Sequence, residues 1–508
     1  MEGKGVALEG AHLVESTEPD SKLRRFKTMS VILKIANDYS QLITTNDKIK
    51  HELWTRLRFR DLNYFHNQAY KMKKWDGYIV FFNKETGKFL TGLLPEVSAV
   101  LKHFGVDYTV EDSRSKTNFA FPSVDQNFLN QWLPEKDSHG NPMSPIELYD
   151  YQVDLINQVI KHRRGVIYAP TSAGKSKVML GIIKTLPEKT PILVLQNRVS
   201  LAQQNYEEFK LWGVPHLGCL WGGSNKPDIV TVASVQSVAK IEKLLPKFQV
   251  LIVDEIHDMM SKLPKQVYKR LKACDVRVAV SATPFKFGGK DNVQKFEVRG
   301  HFGPILKVKS AEGGVLTTAE LQERGILSSS NCTFYNIREP MIPYDIYIDA
   351  MTRGIAESFY FHKIVTRLAK QQTGRTLILV DRIAHGDALH NLLPGSYWVQ
   401  GKDDADARKE VIKKLQKDEH CIGIVSQIIF NAGINVFVHN LINAAGGQAD
   451  HLIIQRMGRG LRTAQDKEGL NYYDFLFEIN PYLKEHSNKR IDILKKEGHE
   501  INVKDIDF

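Results

Sequence analysis

The stretch Ala169-Pro-Thr-Ser-Ala-Gly-Lys-Ser176 lies between the apolar run Gly165–Tyr168 and a segment with helical spacing, Lys175–Ile183. A glycine-containing turn between a strand and a helix presents backbone N–H groups and a helix N-terminus to an anion. We expect Lys175 to reach the β- and γ-phosphates of a nucleoside triphosphate and Ser176 to coordinate Mg²⁺. The other residues expected to line this loop are Pro170, Thr171, Ser172, Ala173 and Gly174.

Two carboxylates, Asp254 and Glu255, follow a second apolar run, Val250–Val253. Side chains at the carboxyl end of a buried parallel strand face the crevice in which a nucleotide binds. We expect Asp254 to hold Mg²⁺ and Glu255 to polarise the attacking water, because phosphoryl transfer depends on positioning and on neutralised charge. Acidic capping of the following helix would explain one of these carboxylates but not both.

Three arginines occur at helical spacing in the stretch Gln455-Arg-Met-Gly-Arg-Gly-Leu-Arg462, where they would share one helix face. An arginine from a second domain can stabilise the transferred phosphoryl group and couple domain closure to hydrolysis. We expect this role for Arg459 and Arg462, with Arg456 and Gln455 in support. The alternative is a solvated basic helix, although each interleaved glycine would cost such a helix about 1 kcal/mol.

Several weaker candidates gain meaning only from their order along the chain. Gln152 precedes the phosphate loop, and its amide can donate to and accept from an adenine edge, although a glutamine on a helix surface is the simpler explanation. Other polar residues follow apolar runs and could equally belong to ordinary turns. The expected coupling residues are His257, Ser281, Thr283 and Gln455, the expected backbone contacts are Arg198, Ser234 and Gln236, and Gly433 and Asn435 are assigned to the nucleotide site.

The bulk composition limits the class of protein. A chain of 508 residues is too long for one hydrophobic core, so several domains are expected. The formal net charge of +11 favours a polyanionic partner, although a generally solvated basic surface is the alternative. The four cysteines form no CxxC pair, so we expect no zinc site and no disulfide framework. The sequence has neither a signal peptide nor an apolar run of about 20 residues, which predicts a cytoplasmic protein without a membrane segment.

Apolar runs alternate with amphipathic segments from Leu148 onward, which predicts an α/β fold with buried parallel strands. Before this region, strands at Val31–Ile35 and Gly77–Phe82, a hairpin turn at Asn83–Gly87 and a helix at Leu94–Phe104 predict a small α+β domain. The predicted organisation is a flexible leader (1–28), a small α+β domain (29–135), two parallel-sheet domains (146–310 and 311–480) and a charged helical tail (481–508).

The small N-terminal domain combines basic and aromatic residues. Lysines and arginines occupy positions 48, 50, 56, 58, 60, 71, 73 and 74, against the two acids at 52 and 61. Basic groups bind phosphates and aromatic rings can stack on unpaired bases, although the aromatics, Trp75 above all, could instead form the core of the domain. The side chains expected to contact DNA are Arg56, Arg58 and Arg60, on one face of a strand, together with Lys73 and Lys74.

The ordered motifs resemble those of superfamily 2 helicases over about 330 residues, with Asp-Glu-Ile-His at 254–257 in place of Asp-Glu-Ala-Asp. The stretches 56–60, 73–79 and 92–95 resemble the front domain of the phage UvsW-type branch-migration helicases. The resemblance implies two tandem RecA-like domains, ATP and Mg²⁺ as cofactors, and forked or branched DNA as partner. It further implies phage replication or recombination proteins as partners and action in the host cytoplasm. Asn435 stands where many relatives carry Asp or Ser.

The expected function is that of an ATP-dependent DNA helicase or translocase that unwinds or branch-migrates forked and four-way DNA. An RNA helicase with the same motor is the main alternative. A non-motor binding protein is disfavoured because Lys175, Asp254, Glu255 and Arg459 are all present. A restriction-type translocase is disfavoured because no nuclease domain is evident after residue 480. The loop 285–289 is the expected strand-separating element.

Overall fold

The computed structural model describes residues 31–114, 119, 121–136, 142–170, 173–285, 292–308, 316–341, 343, 346–403, 405–418, 420–431, 438–447 and 469–506. The strands of these residues form three larger sheets and one two-stranded ribbon. All four cysteines are buried free thiols. Within the described ranges, no helix is both long enough and apolar enough to cross a bilayer.

The N-terminal unit is a four-stranded mixed sheet of order β5-β2-β1-β6, with the ribbon β3–β4 beside it. Its strands are β1 Val31–Ile35, β2 Tyr39–Ile43, β3 Arg58–Arg60, β4 Tyr78–Val80, β5 Lys88–Leu90 and β6 Tyr108–Asp112, and its helices are α1 Asp47–Arg56, α2 Gln68–Lys71 and α3 Leu94–His103. Every second residue of β1 is buried, because alternate side chains of a strand point to opposite faces. The predicted hairpin turn is present, with Gly87 at φ 68°.

The second unit is an eight-stranded sheet of order β10-β9-β11-β8-β12-β13-β7-β14, in which only β10 runs antiparallel to its neighbour. Its strands are β7 Arg164–Tyr168, β8 Ile192–Gln196, β9 Leu217–Trp221, β10 Ser224–Lys226, β11 Val230–Ser234, β12 Val250–Asp254, β13 Val276–Ser281 and β14 Ile305–Lys307. Its helices are α4 Asp150–His162, α5 Lys175–Lys184, α6 Val199–Leu211, α7 Lys262–Arg270 and α8 Asn292–Phe302. The central strands are buried along their whole length, as expected where helices cover both faces.

The third unit is a parallel seven-stranded sheet of order β17-β18-β16-β19-β20-β15-β21. Its strands are β15 Ser330–Ile337, β16 Thr376–Val380, β17 Tyr397–Val399, β18 Ile422–Ser426, β19 Asn440–Asn443, β20 Leu470–Phe477 and β21 Ile501–Lys504. Its helices are α9 Thr318–Glu323, α10 Tyr347–Met351, α11 Phe359–Gln371, α12 Ile383–Leu392, α13 Ala405–Lys417, α14 Gln427–Asn431 and α15 Pro481–Lys496. The predicted fold class, two tandem parallel-sheet domains after a small α+β domain, is confirmed.

Two segments differ from the predicted organisation. The expected charged tail contributes α15 and the edge strand β21 to the third sheet, and the buried Arg490 of α15 donates 2.8 Å and 3.0 Å hydrogen bonds to Asp474 of β20. The polar segment before the second unit contains Phe128 and Leu129, which are buried in the core of that unit. Both segments are rich in polar and charged residues, so the sequence does not indicate which of their apolar side chains are buried.

The N-terminal unit is fixed to the second sheet by buried contacts. Arg277, at the beginning of β13, donates to Asp38 over 3.3 Å, and Arg164, at the beginning of β7, donates to the carbonyl of Asn37. Phe296 of α8 stacks on Phe59 with ring centroids 4.4 Å apart. These contacts lie at the amino ends of β7 and β13, opposite the edge at which the candidate site is built.

Candidate nucleotide site and its coupling network

Three neighbouring strands bring the predicted catalytic groups to one edge of the second sheet. In the order β12-β13-β7, the carboxyl ends carry Asp254, Ser281 and the loop that begins at Ala169. Parallel strands place these ends side by side, which is the usual position of a nucleotide crevice. The phosphate loop and the carboxylate pair, which are far apart in sequence, therefore share one site.

The described part of the phosphate loop has the backbone that its sequence predicts. Gly174 precedes α5 in a left-handed conformation, with φ 74° and ψ 37°. A Cβ atom at this position would lie 2.3 Å from Gln152 Nε2, so only glycine fits without displacement. Lys175 Nζ donates a 3.3 Å hydrogen bond to the Pro170 carbonyl and thereby folds over the loop. Thr171 and Ser172 lie outside the described residues.

Gln152 supports the loop directly, a contact that the sequence did not predict. Its buried amide donates to the Ala173 carbonyl over 2.9 Å and accepts from the Tyr149 backbone N–H over 3.0 Å. The hydroxyl of Tyr151 donates to the same carbonyl over 3.0 Å. In this structure the glutamine thus links the beginning of α4 to the phosphate loop, and its predicted contact with adenine stays a prediction.

The carboxylate pair lies in a partly buried, tightly bonded setting. Asp254 accepts a 3.2 Å hydrogen bond from Gln196 and a 3.0 Å bond from the Glu255 backbone N–H. Burial, and next the negative charge of Glu255, raise the pKa of Asp254 to about 6, while Lys175 acts in the opposite direction. Glu255 itself has φ 50°, a left-handed conformation that is uncommon for a residue with a Cβ atom and that clusters at functional sites.

Ser281 connects this pair to the segment after β13. Its hydroxyl donates to Glu255 Oε2 over 2.9 Å and accepts from the Thr283 backbone N–H over 3.1 Å. The buried ring of His257 places Nδ1 at 3.1 Å from Ser281 Oγ and at 3.4 Å from Glu255 Oε2. Three of the predicted coupling residues therefore form one continuous hydrogen-bonded group with the predicted catalytic carboxylate.

The donor set fits a Mg²⁺-bound nucleoside triphosphate. Burial and then the charge of Glu255 raise the pKa of Asp254 while Lys175 lowers it, so an added cation would stabilise the ionised carboxylate. Mg²⁺ in such sites is held by one or two carboxylates, a hydroxyl and substrate phosphates, which Asp254 and Ser176 could provide. When bound, Mg²⁺ would neutralise the charge that develops on the phosphates.

The remaining residues predicted for the nucleotide site belong by sequence to the third unit. Gln455, Arg456, Arg459 and Arg462, together with Gly433 and Asn435, lie outside the described residues. The same is true of the greater part of the predicted strand-separating loop, from residue 286 onward. The described site is accordingly built from the second sheet and from α4 and α5.

The predicted backbone-contact residues are only partly suited to that role. Arg198 follows β8, and Gln236 follows the neighbouring β11, where its exposed side chain donates to the Asn197 carbonyl over 3.0 Å. Ser234 is fully buried and donates to Ser237 over 3.1 Å. The hydroxyl of Ser234 ends a fully covered strand and is hydrogen-bonded within the protein, and its predicted contact with DNA stays a prediction.

The three arginines of the N-terminal unit do not share one strand face. Arg56 ends α1 and pairs with Glu52 over 2.5 Å, whereas Arg58 and Arg60 belong to β3. Arg58 lies between the rings of Trp54 and Tyr78, at 4.3 Å and 3.9 Å from their centroids. The strand prediction for Arg56 is wrong because the helix extends to that residue. The packing of Arg58 between two rings also withdraws most of its guanidinium from solvent.

The sequence was next compared with known families and proteins. The profile of the family described as type III restriction enzyme, res subunit, matches residues 145–286. The ATP-dependent DNA helicase uvsW of Enterobacteria phage T4 is 23% identical over 468 residues, which cover 87% of this chain and 89% of that protein. The DNA 3'-5' translocase XPB2 of Sulfurisphaera tokodaii is 26% identical over 367 residues, or 64% of this chain and 80% of the relative.

Among solved structures, a fragment of a putative HsdR subunit of a type I restriction enzyme from Vibrio vulnificus aligns with a TM-score of 0.52. It is 19% identical and the alignment covers 70% of this chain and 68% of that chain, which supports the shared fold. The profile match, the two relatives and the tandem parallel sheets agree with the motif order in the sequence. The chain is therefore similar to superfamily 2 DNA helicases and translocases, and among them to the UvsW type.

Proposed function

We propose that this enzyme hydrolyses ATP with Mg²⁺ to migrate or unwind forked and four-way DNA. The observation that carries the proposal is the hydrogen bond from Ser281 to Glu255, since it joins the predicted hydrolytic carboxylate to the chain segment that leaves the site. A change at the γ-phosphate would alter this bond and be passed along the segment after β13. A simple nucleotide-binding module would not need such a connection.

The proposed roles follow the sequence motifs. Lys175 and the loop bind the phosphates, Ser176 and Asp254 hold Mg²⁺, and Glu255 orients the attacking water. Arg459 and Arg462, from the second of two motor domains that we place at 146–310 and 311–480, stabilise the transferred phosphoryl group. Closure of the two domains on ATP and their opening after hydrolysis would move DNA along the motor.

DNA is the proposed track for two reasons. The relatives uvsW and XPB2 are named as acting on DNA, and the chain carries a net charge of +11. Branched DNA is proposed from the basic and aromatic N-terminal unit, which is fixed rigidly beside the motor sheet by the Asp38–Arg277 contact. Such a unit can hold one arm of a junction while the motor acts on another. Action in a host cytoplasm, with phage replication or recombination proteins, belongs to the same proposal.

The decisive experiment measures ATP hydrolysis without nucleic acid and with single-stranded DNA, duplex DNA, a four-way DNA junction and matched RNA. Each condition is repeated with Lys175→Ala, which should abolish hydrolysis, and with Lys177→Ala as a control lysine two residues away. Strong stimulation by the junction, lost in Lys175→Ala alone, is the expected result. Stimulation by RNA alone would favour the RNA-helicase alternative, and hydrolysis that no nucleic acid stimulates would contradict the proposal.

A further inference from the structure

The segment 61–77, which connects β3 to β4, contains an open cavity of about 700 Å³, a volume that can hold a small ligand. Its lining combines three aromatic rings with three lysines: Phe65, Tyr70, Trp75, Lys71, Lys73 and Lys74. We call this cavity the front pocket. It lies in the N-terminal unit, in a different unit from the nucleotide site on the second sheet.

The aromatic wall of the front pocket is held in place from behind. Tyr64 contacts Tyr70 edge-on at 4.7 Å and Phe65 edge-on at 5.7 Å, and Arg60 lies 4.4 Å over the ring of Tyr64. The indole N–H of Trp75 donates to the Tyr78 carbonyl over 2.8 Å, which fixes the orientation of that ring. The rings are therefore oriented before any ligand binds, while Phe65 remains half exposed.

The turn after α2 places a lysine where glycine is usual. Lys73 has φ 56°, and its backbone N–H donates to the Tyr70 carbonyl while that of Lys74 donates to Ala69, which is the bonding of a helix-ending turn. A residue with a Cβ atom is strained in this conformation, and such strain is typical of functional positions. The lysine side chain thus carries a cost to stability that a ligand contact would explain.

The charge of the front pocket is positive. Lys71, Lys73 and Lys74 are exposed, and Asp76, the acid at its rim, already forms an ion pair with Arg58. Three cations beside aromatic faces match a ligand that combines phosphates with flat rings. A paired duplex hides its base faces in the stack, whereas an unpaired strand exposes them.

We propose that the front pocket binds an unpaired nucleotide of the nucleic-acid substrate, with a base against Phe65 and the adjoining phosphates on Lys73 and Lys74. The proposal rests on the proposed function and adds to it a site that recognises the single-stranded part of a branch. Because the N-terminal unit is fixed to the motor sheet, the pocket would hold one unpaired strand at a constant distance from the motor.

The test uses the full-length chain and two variants. One removes an aromatic side chain, and the other removes a lysine from a strained backbone position. Phe65→Ala removes the stacking surface, and Lys73→Gly removes the charge while relieving the left-handed strain. Lys84→Gly, in the exposed hairpin turn of the same unit, is the matched control. Binding is measured by anisotropy for a fork with two unpaired arms and for a blunt duplex, at one salt concentration.

We expect Phe65→Ala to weaken binding of the fork by about tenfold, within the range known for base stacking, and Lys73→Gly to weaken it through the lost phosphate contact, with a smaller effect of either variant on the blunt duplex. Lys73→Gly should melt at the same temperature as the wild type or higher, so a binding loss cannot be attributed to unfolding. A fork arm labelled with 2-aminopurine should show a fluorescence change that Phe65→Ala abolishes.

Equal binding of the fork by both variants and Lys84→Gly would overturn the pocket assignment. Competition by polyglutamate as effective as that by an oligonucleotide of equal charge would also overturn it, in favour of an acidic peptide. A wild-type protein whose ATPase no DNA stimulates would instead contradict the proposed function, so the two failures are distinguishable.

Discussion

Ser281 donates a 2.9 Å hydrogen bond to Glu255, and this bond connects the carboxyl ends of the neighbouring strands β13 and β12. The same hydroxyl accepts from the Thr283 backbone N–H and faces the buried ring of His257. A single oxygen atom thus joins the residue proposed to orient water to the beginning of the segment that leaves the site. We expect removal of this hydroxyl to separate hydrolysis from movement more selectively than a change in the phosphate loop.

We predict that Ser281→Ala retains ATP hydrolysis within a few-fold of the wild type but unwinds far less DNA for each ATP consumed. The lost hydrogen bond to a carboxylate is worth about 1.5–3 kcal/mol, and Glu255 keeps its contact with His257. The measurement is the ratio of base pairs separated to ATP hydrolysed. Ser237→Ala, a buried serine after β11, is the control, and an unchanged ratio in Ser281→Ala would exclude this coupling role.

A second prediction concerns the contact of Gln152 with the phosphate loop. Gln152→Ala should raise the KM for ATP at least several-fold and lower the melting temperature by a few degrees, because two hydrogen bonds of about 1 kcal/mol each and the packing of a buried amide are lost. Gln158→Ala, on the same helix, should change neither quantity. A normal KM in Gln152→Ala would show that Tyr151 alone supports the Ala173 carbonyl.

A third prediction follows from the raised pKa of Asp254, about 6 against an ordinary value of 3.8. The folded protein holds this proton more tightly than the unfolded chain, so the protonated form adds stability that is fully present below about pH 3.9 and lost as the pH rises through about 6. Without nucleotide, the wild type should therefore lose stability relative to Asp254→Asn between pH 5 and pH 7.5, by about 1.4 kcal/mol. Melting curves of both proteins test this, and parallel curves would contradict it.

The same ionisation affects the affinity for the metal nucleotide. Mg²⁺ binds the carboxylate and not the carboxylic acid, so the affinity for Mg²⁺-ATP should increase as the pH rises through about 6 and binding should release protons. Calorimetry in two buffers with different ionisation enthalpies measures this release. Asp254→Asn should release few protons when it binds Mg²⁺-ATP. Equally low proton release by the wild type would contradict the assignment of Asp254 to the metal.

Local patterns in the sequence predicted individual strands well. The strand Val31–Ile35 of the N-terminal unit has the predicted bounds, the apolar run Gly165–Tyr168 lies within β7, and the carboxylates at 254 and 255 follow a buried strand as expected. Apolar runs bounded by polar residues are a local signal, so they are visible without knowledge of the fold. The meeting of the phosphate loop, Asp254 and Ser281 in one site was partly predicted, because motifs that follow parallel strands lie at the same edge of the sheet.

Contacts between distant segments were not predicted. No local pattern indicated that the amide of Gln196 would donate to Asp254, or that Arg58 would pack between Trp54 and Tyr78, since each contact depends on how several elements assemble. The edge strand β21 was missed because it is only four residues long and its side chains are mainly exposed, so it has no apolar face that the sequence would reveal. Prediction of such features requires the tertiary arrangement, in which partners far apart in the chain become neighbours.

The contact between Asp38 and Arg277 leads to the last prediction. Arg277 is fully buried, donates to the carbonyls of Tyr268 and Leu271, and has Asp38 as a carboxylate partner at 3.3 Å. Asp38→Ala leaves this guanidinium buried beside a cavity, and breaking a buried ion pair from one side typically costs about 3–5 kcal/mol. We expect the variant to unfold at lower denaturant concentration and to be cut by protease between the N-terminal unit and the motor.

The ATPase activity of Asp38→Ala tests whether recognition of a junction requires the N-terminal unit to be fixed to the motor sheet. If this unit must stay fixed to the motor sheet, Asp38→Ala should retain DNA-free ATP hydrolysis at low temperature but lose stimulation by a four-way junction. Asp47→Ala, at the exposed beginning of α1, is the control for loss of an acid in the same unit. Junction-stimulated hydrolysis at the wild-type level in a destabilised Asp38→Ala would show that the fixed position of the N-terminal unit is not needed to recognise the branch.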